Sequence, residues 1–172
     1  LPFFAPAVLI LLRHASRRCV QIAVVLTPLL GGLLAVDDWE FAHAQQRLAA
    51  QVKAFSPAPG RIAGHWGFQH HLESAGWVAF EDDIRLAPSS VLAVSAAAWP
   101  QEPEGCTRHL AQWAIANRWP GPRVHTRSGQ ANLHGFFIAG EPPQATFAPW
   151  GFGDDPMDTV RLVQGCETAR SR

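Results

Sequence analysis

Apolar and polar positions divide unevenly along the chain. Residues 1–36 hold nearly all of the long apolar runs, and the remainder is polar, proline-rich and tryptophan-rich. Residues 19–36, CVQIAVVLTPLLGGLLAV, carry no charged side chain. As a helix rising about 1.5 Å per residue this run is about 27 Å long, close to the hydrocarbon thickness of a bilayer. Pro28, Gly31 and Gly32 weaken a helix in water but are tolerated in a membrane, where neighbouring helices satisfy freed backbone groups. Residues 1–12, LPFFAPAVLILL, are too short to span and read as the end of a preceding spanning helix. The chain opens on Leu1 and runs at once into this segment, so a fragment or a processed product is expected.

The polar residues between and after these runs give a direction. Arg13, Arg17 and Arg18 lie in the short loop 13–18, and an arginine-rich loop marks the cytoplasmic side. Asp37, Asp38 and Glu40 follow the second run, with Trp39 at the expected interface. The expected organisation is therefore the end of one transmembrane helix (1–12), a cytoplasmic loop (13–18), a transmembrane helix (19–36) and an extracytoplasmic domain (37–172). A secretory signal peptide cleaved after Ala42-His43-Ala44 is the rival reading. The length of the apolar run, its distance from that motif and the apolar run ahead of the arginines all oppose it.

Residues 38–55 place Trp39, Ala42, Leu48, Val52 and Phe55 near one face at helical spacing, with Asp37 or Asp38 as N-cap. Ser56-Pro57-Ala58-Pro59-Gly60 ends this helix. A short strand through Arg61-Ile62-Ala63 runs into Gly64-His65-Trp66-Gly67. A helix over 68–75 follows, with Gly76 at its end, and then a polar loop at 81–88. Residues 91–97, VLAVSAA, read as a buried strand, so strand, helix and strand predict a βαβ unit with a parallel pair. Residues 106–117 read as a helix burying Leu110, Trp113 and Ile115. Strands are expected at 123–127, 136–139 and 159–163, and a long loop at 140–155. The fold class is thus α/β: a membrane helix followed by a small three-layer-like α/β domain with a βαβ unit.

Composition narrows the function. Lys and Arg number 14 and Asp and Glu 14, so the chain is neutral and carries no electrostatic footprint for nucleic acid. Outside the cytoplasm Cys106 and Cys166 are free to form a disulfide. Two separate buried thiols are the other reading, and sequence leaves both open.

The run Gly64-His65-Trp66-Gly67-Phe68-Gln69-His70-His71-Leu72-Glu73-Ser74-Ala75-Gly76 is the most distinctive in the chain. It resembles an element in the C-terminal outer domain of bacterial membrane glycosyltransferases of the GT-C type, the dolichyl-phosphate-mannose–protein mannosyltransferase-like and aminoarabinose-transferase-like proteins. Leu1-Pro2-Phe3-Phe4-Ala5-Pro6 is similar to the start of a late spanning helix in that family. Val36-Asp37-Asp38-Trp39 looks like its exit from the last one. Phe136-Phe137, Pro149-Trp150-Gly151-Phe152 and the closing strand look like its C-terminal end. Where the family has paired tyrosines this chain has His70 and His71, and Pro88-Ser89-Ser90 replaces a Pro-Gly-Asp turn.

The resemblance implies a polytopic enzyme of the bacterial inner membrane with a periplasmic C-terminal domain. Such an enzyme moves a sugar from a polyprenyl-phosphate donor to an extracytoplasmic acceptor. The family's catalytic carboxylate lies in an early outer loop, so no residue here is expected to be catalytic, no cofactor is implied, and this chain alone is expected to be inactive. The expected partners are membrane lipid and the polyprenyl-phosphate-linked sugar. A membrane-anchored periplasmic module binding glycan or protein is the alternative, and a secreted hydrolase lacks a catalytic constellation.

The ligand-binding candidates are His65, Trp66, Gln69, His70, Glu73 and Trp150. Gly64-His65-Trp66-Gly67 matches neither a P-loop nor a dinucleotide fingerprint. As a strand-to-helix turn it either offers N–H groups to a carrier phosphate or packs its aromatics in the core. His65, His70, His71 and Glu73 are the densest set of metal-ligand types. However, His70 and His71 point about 100° apart on a helix, and no H-E-x-x-H motif occurs, so no metal is expected. Among the seven tryptophans, Trp99, Trp119 and Trp150 lie beside prolines and are the candidates for sugar stacking, with core or interface anchoring as the other use. Ser74, Ser95 and Ser128 sit in no G-x-S-x-G, and Glu81-Asp82-Asp83 reads as a solvated loop.

Overall fold

The computed structural model describes residues 15–64, 66–81, 85–96, 101–124 and 150–167, with Trp66 described in its backbone alone. One helix, α1 (Arg17–Phe55), carries the apolar run and continues without a break into the domain. Its 39 residues give a rod about 58 Å long. Ser16 is its N-cap, and the hydroxyl accepts from the Cys19 N–H at 3.3 Å. Asp37 and Asp38, expected as a cap, lie instead inside the helix, because nothing after Val36 interrupts the backbone ladder.

The two halves of α1 have different surroundings. No residue from 17 to 36 is buried, and Val24 and Val25 are 66% and 64% exposed. A soluble core helix would cover such side chains; this one is long and apolar enough to cross a membrane. From Asp37 onward a stripe is buried at helical spacing: Asp37, Phe41, Ala44, Gln45, Leu48, Ala49 and Val52. Leu48 and Val52 fall where the periodicity predicts. Trp39 and Phe55 are exposed instead, at 58% and 53%, and Ala42 is exposed too. Reading the stripe by hydrophobicity alone chose Trp39 over Asp37, whereas the true stripe includes two polar positions.

Against this half of α1 lie β1 (Arg61–Ala63), α2 (Trp66–Glu73), β2 (Val78–Ala79), β3 (Val91–Ser95), β4 (Thr107–Ile115) and β5 (Asp158–Gly165). They build one five-stranded mixed sheet in the order β2-β1-β3-β5-β4. β1 is parallel to β2 on one side and to β3 on the other, with Ile62 opposite Ala79 and Ala93. α2 is the crossover of the βαβ unit. It ends in a Schellman turn: Trp77 N–H reaches Leu72 C=O at 3.2 Å, Gly76 N–H reaches Glu73 C=O at 2.9 Å, and Gly76 takes φ +86°. Leu72 and Trp77 then pack together in the core.

The segment 106–117, expected as a helix, contains β4. Ala-rich and Leu-containing sequence favours a helix locally, but tertiary pairing decides. β4 lies antiparallel to β5, with a register shift between His109 and Ala111. Cys106 and Cys166 flank the two strands and form a disulfide with Cα atoms 5.3 Å apart. Beyond the shift, Ala111, Trp113 and Ile115 are half-buried while Gln112 and Ala114 are exposed, which is the two-residue period of a strand. The last strand is longer than expected, covering Asp158–Gly165.

The core has two faces. Leu48, Ala49 and Val52 of α1 and Phe68 and Leu72 of α2 cover one face of the sheet through Ile62, Ala93, Val160 and Leu162. On the other, Ala63, Leu92, Val94 and Val163 pack against Phe80 and Leu86 from the loop after β2. Among the described residues both helices lie on one face, so a loop stands where three layers would need a second set of helices. Arg123 makes an isolated bridge with Gly151, and residues 125–127 of the strand expected at 123–127 lie outside the described residues. The strand expected at 136–139 lies outside the described residues, as does most of the loop expected at 140–155.

Candidate functional site at the carboxyl edge of the sheet

In open sheets with parallel strands, ligands meet the edge where those strands end. Here β1 ends at Ala63 and β3 at Ser95, and α2 begins at Trp66, three residues after the end of β1. Beneath this edge Ser95 Oγ donates to Asp158 Oδ2 at 2.7 Å, with both residues fully buried. The pair ties β3 to the start of β5. Its burial makes it a brace for the edge, out of reach of a ligand.

The first turns of α1 beyond the apolar run reach the same edge. Gln45 Oε1 accepts the Phe68 N–H at 3.1 Å, satisfying one of the open donors at the start of α2. A Cβ on Gly67 would stand 2.7 Å from that oxygen, so glycine there is what lets Gln45 approach. One turn nearer the apolar run, Phe41 and Ala44 pack on Met157.

Nearest to the apolar run is a buried ionic cluster. The side chains of Asp37 and Arg123 are both fully buried, with Arg123 Nε 3.6 Å from Asp37 Oδ1. Asp37 Oδ2 also accepts the Val124 N–H at 2.8 Å. Arg123 Nη1 donates to the carbonyls of Gly153 (3.2 Å) and Asp155 (3.0 Å) and pairs with Asp155 Oδ1 at 3.3 Å. The Arg123 and Gly151 backbones exchange hydrogen bonds of 2.8 and 2.9 Å. This cluster fastens the 121–124 and 150–157 loops to the helix within one residue of Val36.

The residues singled out in the sequence separate into different places. His65 lies outside the described residues, and Trp66 contributes the first position of α2. Gln69 Nε2 donates to Glu73 Oε1 at 2.6 Å along α2. His70 is exposed, and its ring lies 5.6 Å from that of His71. Burial, then the neighbouring His70 and Lys53, hold the His71 imidazole below its usual pKa. Trp150 is half-buried and belongs to the ionic cluster's loop, beside Gly151. Trp119 is half-buried beside Phe41, Ala44 and Met157, and its indole N–H donates to Pro122 C=O at 3.1 Å. Among the described residues, no group of three or more His, Cys, Asp or Glu is placed to hold a metal ion.

Asp37, Gln45, Arg123 and Asp155 escaped the sequence reading. Two carried a signal: extending the Leu48–Val52 stripe backwards at helical spacing lands on Gln45 and then Asp37, polar residues on a buried face. No family model matches the chain, and neither a curated protein nor a solved structure matches it.

Proposed function

We propose that this chain is the outer C-terminal portion of a membrane glycosyltransferase that uses a polyprenyl-phosphate sugar donor. Its domain covers the reaction site from the side away from the membrane and supplies no catalytic group of its own. The observation that supports this reading most is the placement of the sheet's carboxyl edge. The edge carrying Gly64, the start of α2, Ser95 and Asp158 is the one on which the first turns of α1 after Val36 pack. With residues 19–36 in the inner membrane, that edge faces the bilayer surface, where the phosphate of a lipid carrier lies. The Cys106–Cys166 disulfide suits an oxidising compartment such as the periplasm, and Arg13, Arg17 and Arg18, before and at the start of α1, suit the opposite side.

The test reconstitutes the full chain in vesicles with a photoreactive polyprenyl phosphate and maps the crosslinked peptides. Crosslinks concentrated in residues 61–75, with an impermeant maleimide reaching Cys19 only from the side opposite the domain, support the reading. Crosslinks spread evenly over the domain, or Cys19 labelled from the domain side, overturn it. Selective capture of soluble glycan with no lipid crosslink would identify the chain as an anchored glycan-binding module instead.

A further inference from the structure

Two large apolar side chains of the domain are left uncovered, one just past the apolar run of α1 and one in the loop that Arg123 fastens to Asp37. Trp39 is 58% exposed and Phe152 is 64% exposed. Trp39 stands three residues beyond Val36, about 4.5 Å along the helix axis. Phe152 is placed through its neighbours. Gly151 exchanges backbone bonds with Arg123, Gly153 C=O accepts from Arg123 Nη1, and Arg123 lies against Asp37, the first residue after the run. Asp37 and Trp39 lie about 200° apart around the helix, so Trp39 and the loop carrying Phe152 meet the rod on different sides.

We propose that Phe152 and Trp39 form a two-point contact with the headgroup layer of the bilayer that α1 crosses, holding the domain at a fixed tilt with its carboxyl edge against the membrane. The proposal rests on the spanning reading of residues 19–36. The headgroup layer extends about 5–7 Å beyond the hydrocarbon on each side, which includes the height of Trp39 and of Asp37, to which Arg123 fastens the loop carrying Phe152. Aromatic side chains favour that layer. The surface around them is acidic, with Asp38 and Asp154 exposed, so the contact is shallow and owes nothing to anionic lipid. The partner is thus the interface of a zwitterionic bilayer, continuous with the apolar surface of α1.

Site-directed spin labelling of the full chain in phosphatidylcholine vesicles tests this. Cys19 is replaced by serine, the Cys106–Cys166 disulfide is retained, and single labels are placed by Leu29→Cys, Phe152→Cys and Val78→Cys. Val78 is 55% exposed on β2, at the far edge of the sheet, and serves as the aqueous reference. The expected ratio of oxygen to nickel-complex accessibility is highest at 29, lowest at 78 and intermediate at 152. A label at Asp154→Cys is expected to gain nickel accessibility when Phe152 is also changed to serine. A hydrocarbon reading at 29 with an aqueous reading at 152 overturns the contact and leaves the span standing. An aqueous reading at 29 overturns both.

Discussion

Replacing Arg123 with methionine tests the buried cluster that ties α1 to the domain. Methionine keeps much of the aliphatic volume and removes the guanidinium. That group lies 3.6 Å from Asp37 Oδ1, donates to two carbonyls at 3.2 and 3.0 Å, and pairs with Asp155 at 3.3 Å. Removing one partner of a buried pair costs about 3–5 kcal/mol, chiefly because the remaining charge stays out of water. Asp37 keeps its bond from Val124 N–H, which favours the lower half of that range. Domain stability is typically about 5–15 kcal/mol, so the loss is a large share of the whole. Urea unfolding of the full chain in micelles, followed by tryptophan fluorescence, reads it. With a slope of about 1–3 kcal/mol per molar, the midpoint falls by roughly 1–4 M. Asp37→Asn leaves Arg123 its Asp155 partner and should cost about 1–2 kcal/mol. Added to Arg123→Met, it should cost at least about 1 kcal/mol less than the two single changes summed. The loss should also persist at high salt, since buried pairs are poorly screened. A midpoint shift corresponding to under about 1 kcal/mol for Arg123→Met, or strict additivity in the double variant, refutes the cluster as the fastening of α1.

Opening the Cys106–Cys166 disulfide by paired serine substitution releases a crosslink with a sequence separation of 60, worth about 4 kcal/mol on the chain-entropy estimate; an unchanged urea midpoint would contradict this. His71 is held below its usual pKa in the folded domain, so the unfolded chain binds the extra proton first as pH falls. Stability from this group is complete above the unfolded value near 6.5 and is lost as pH drops towards the folded one, so His71→Gln should flatten the pH dependence of the midpoint below pH 6.5. Gly165→Ala puts a Cβ 2.3 Å from the Ala87 carbonyl oxygen and 2.7 Å from that of Leu86. It should destabilise by about 1–3 kcal/mol, whereas Gly31→Ala, with nothing within 4 Å, should leave the domain's unfolding midpoint unchanged.

The legible and illegible parts of this fold differ in the range of the interactions that set them. The apolar run at 19–36, the turn after Phe55, the short helix ending at Gly76 and the strand at Val91 are set by local composition and period, and all were readable. β4 was not. Its Leu110, Ala111, Trp113 and Ile115 suit a helix face as well as a strand edge, and the arbiter is β5, some fifty residues further on. The ionic cluster escaped for a related reason. Arg123 and Asp37 are separated by most of the domain, and a charged residue beside an apolar run reads first as a boundary or a cap. Only the sheet, by bringing the loops after β4 and before β5 back to α1, turns Asp37 into a buried partner. The passage from β1 at Ala63 to a helix starting at Trp66 was legible, but Gln45, which accepts the Phe68 N–H, comes from another element.

Continuity of α1 is the property from which the rest of the arrangement follows. A flexible linker after Val36 would leave the domain free to turn, and no edge of the sheet would have a fixed relation to the apolar half of α1. The helix instead runs unbroken from Arg17 to Phe55, so an orientation imposed on its apolar half is passed to its packed half. Pro28 lies within the apolar half, eight residues before the end of the run, so any bend it introduces falls before the domain begins. The Asp37–Arg123 pair then fixes the loops at the start of the packed half, and Gln45 fixes α2 two turns later. Burying a charge pair is a poor way to gain stability compared with apolar residues of equal volume, but it permits few alternative geometries. The position of this pair, one residue past an uncovered apolar rod, is where a specified angle between the domain and that rod is set.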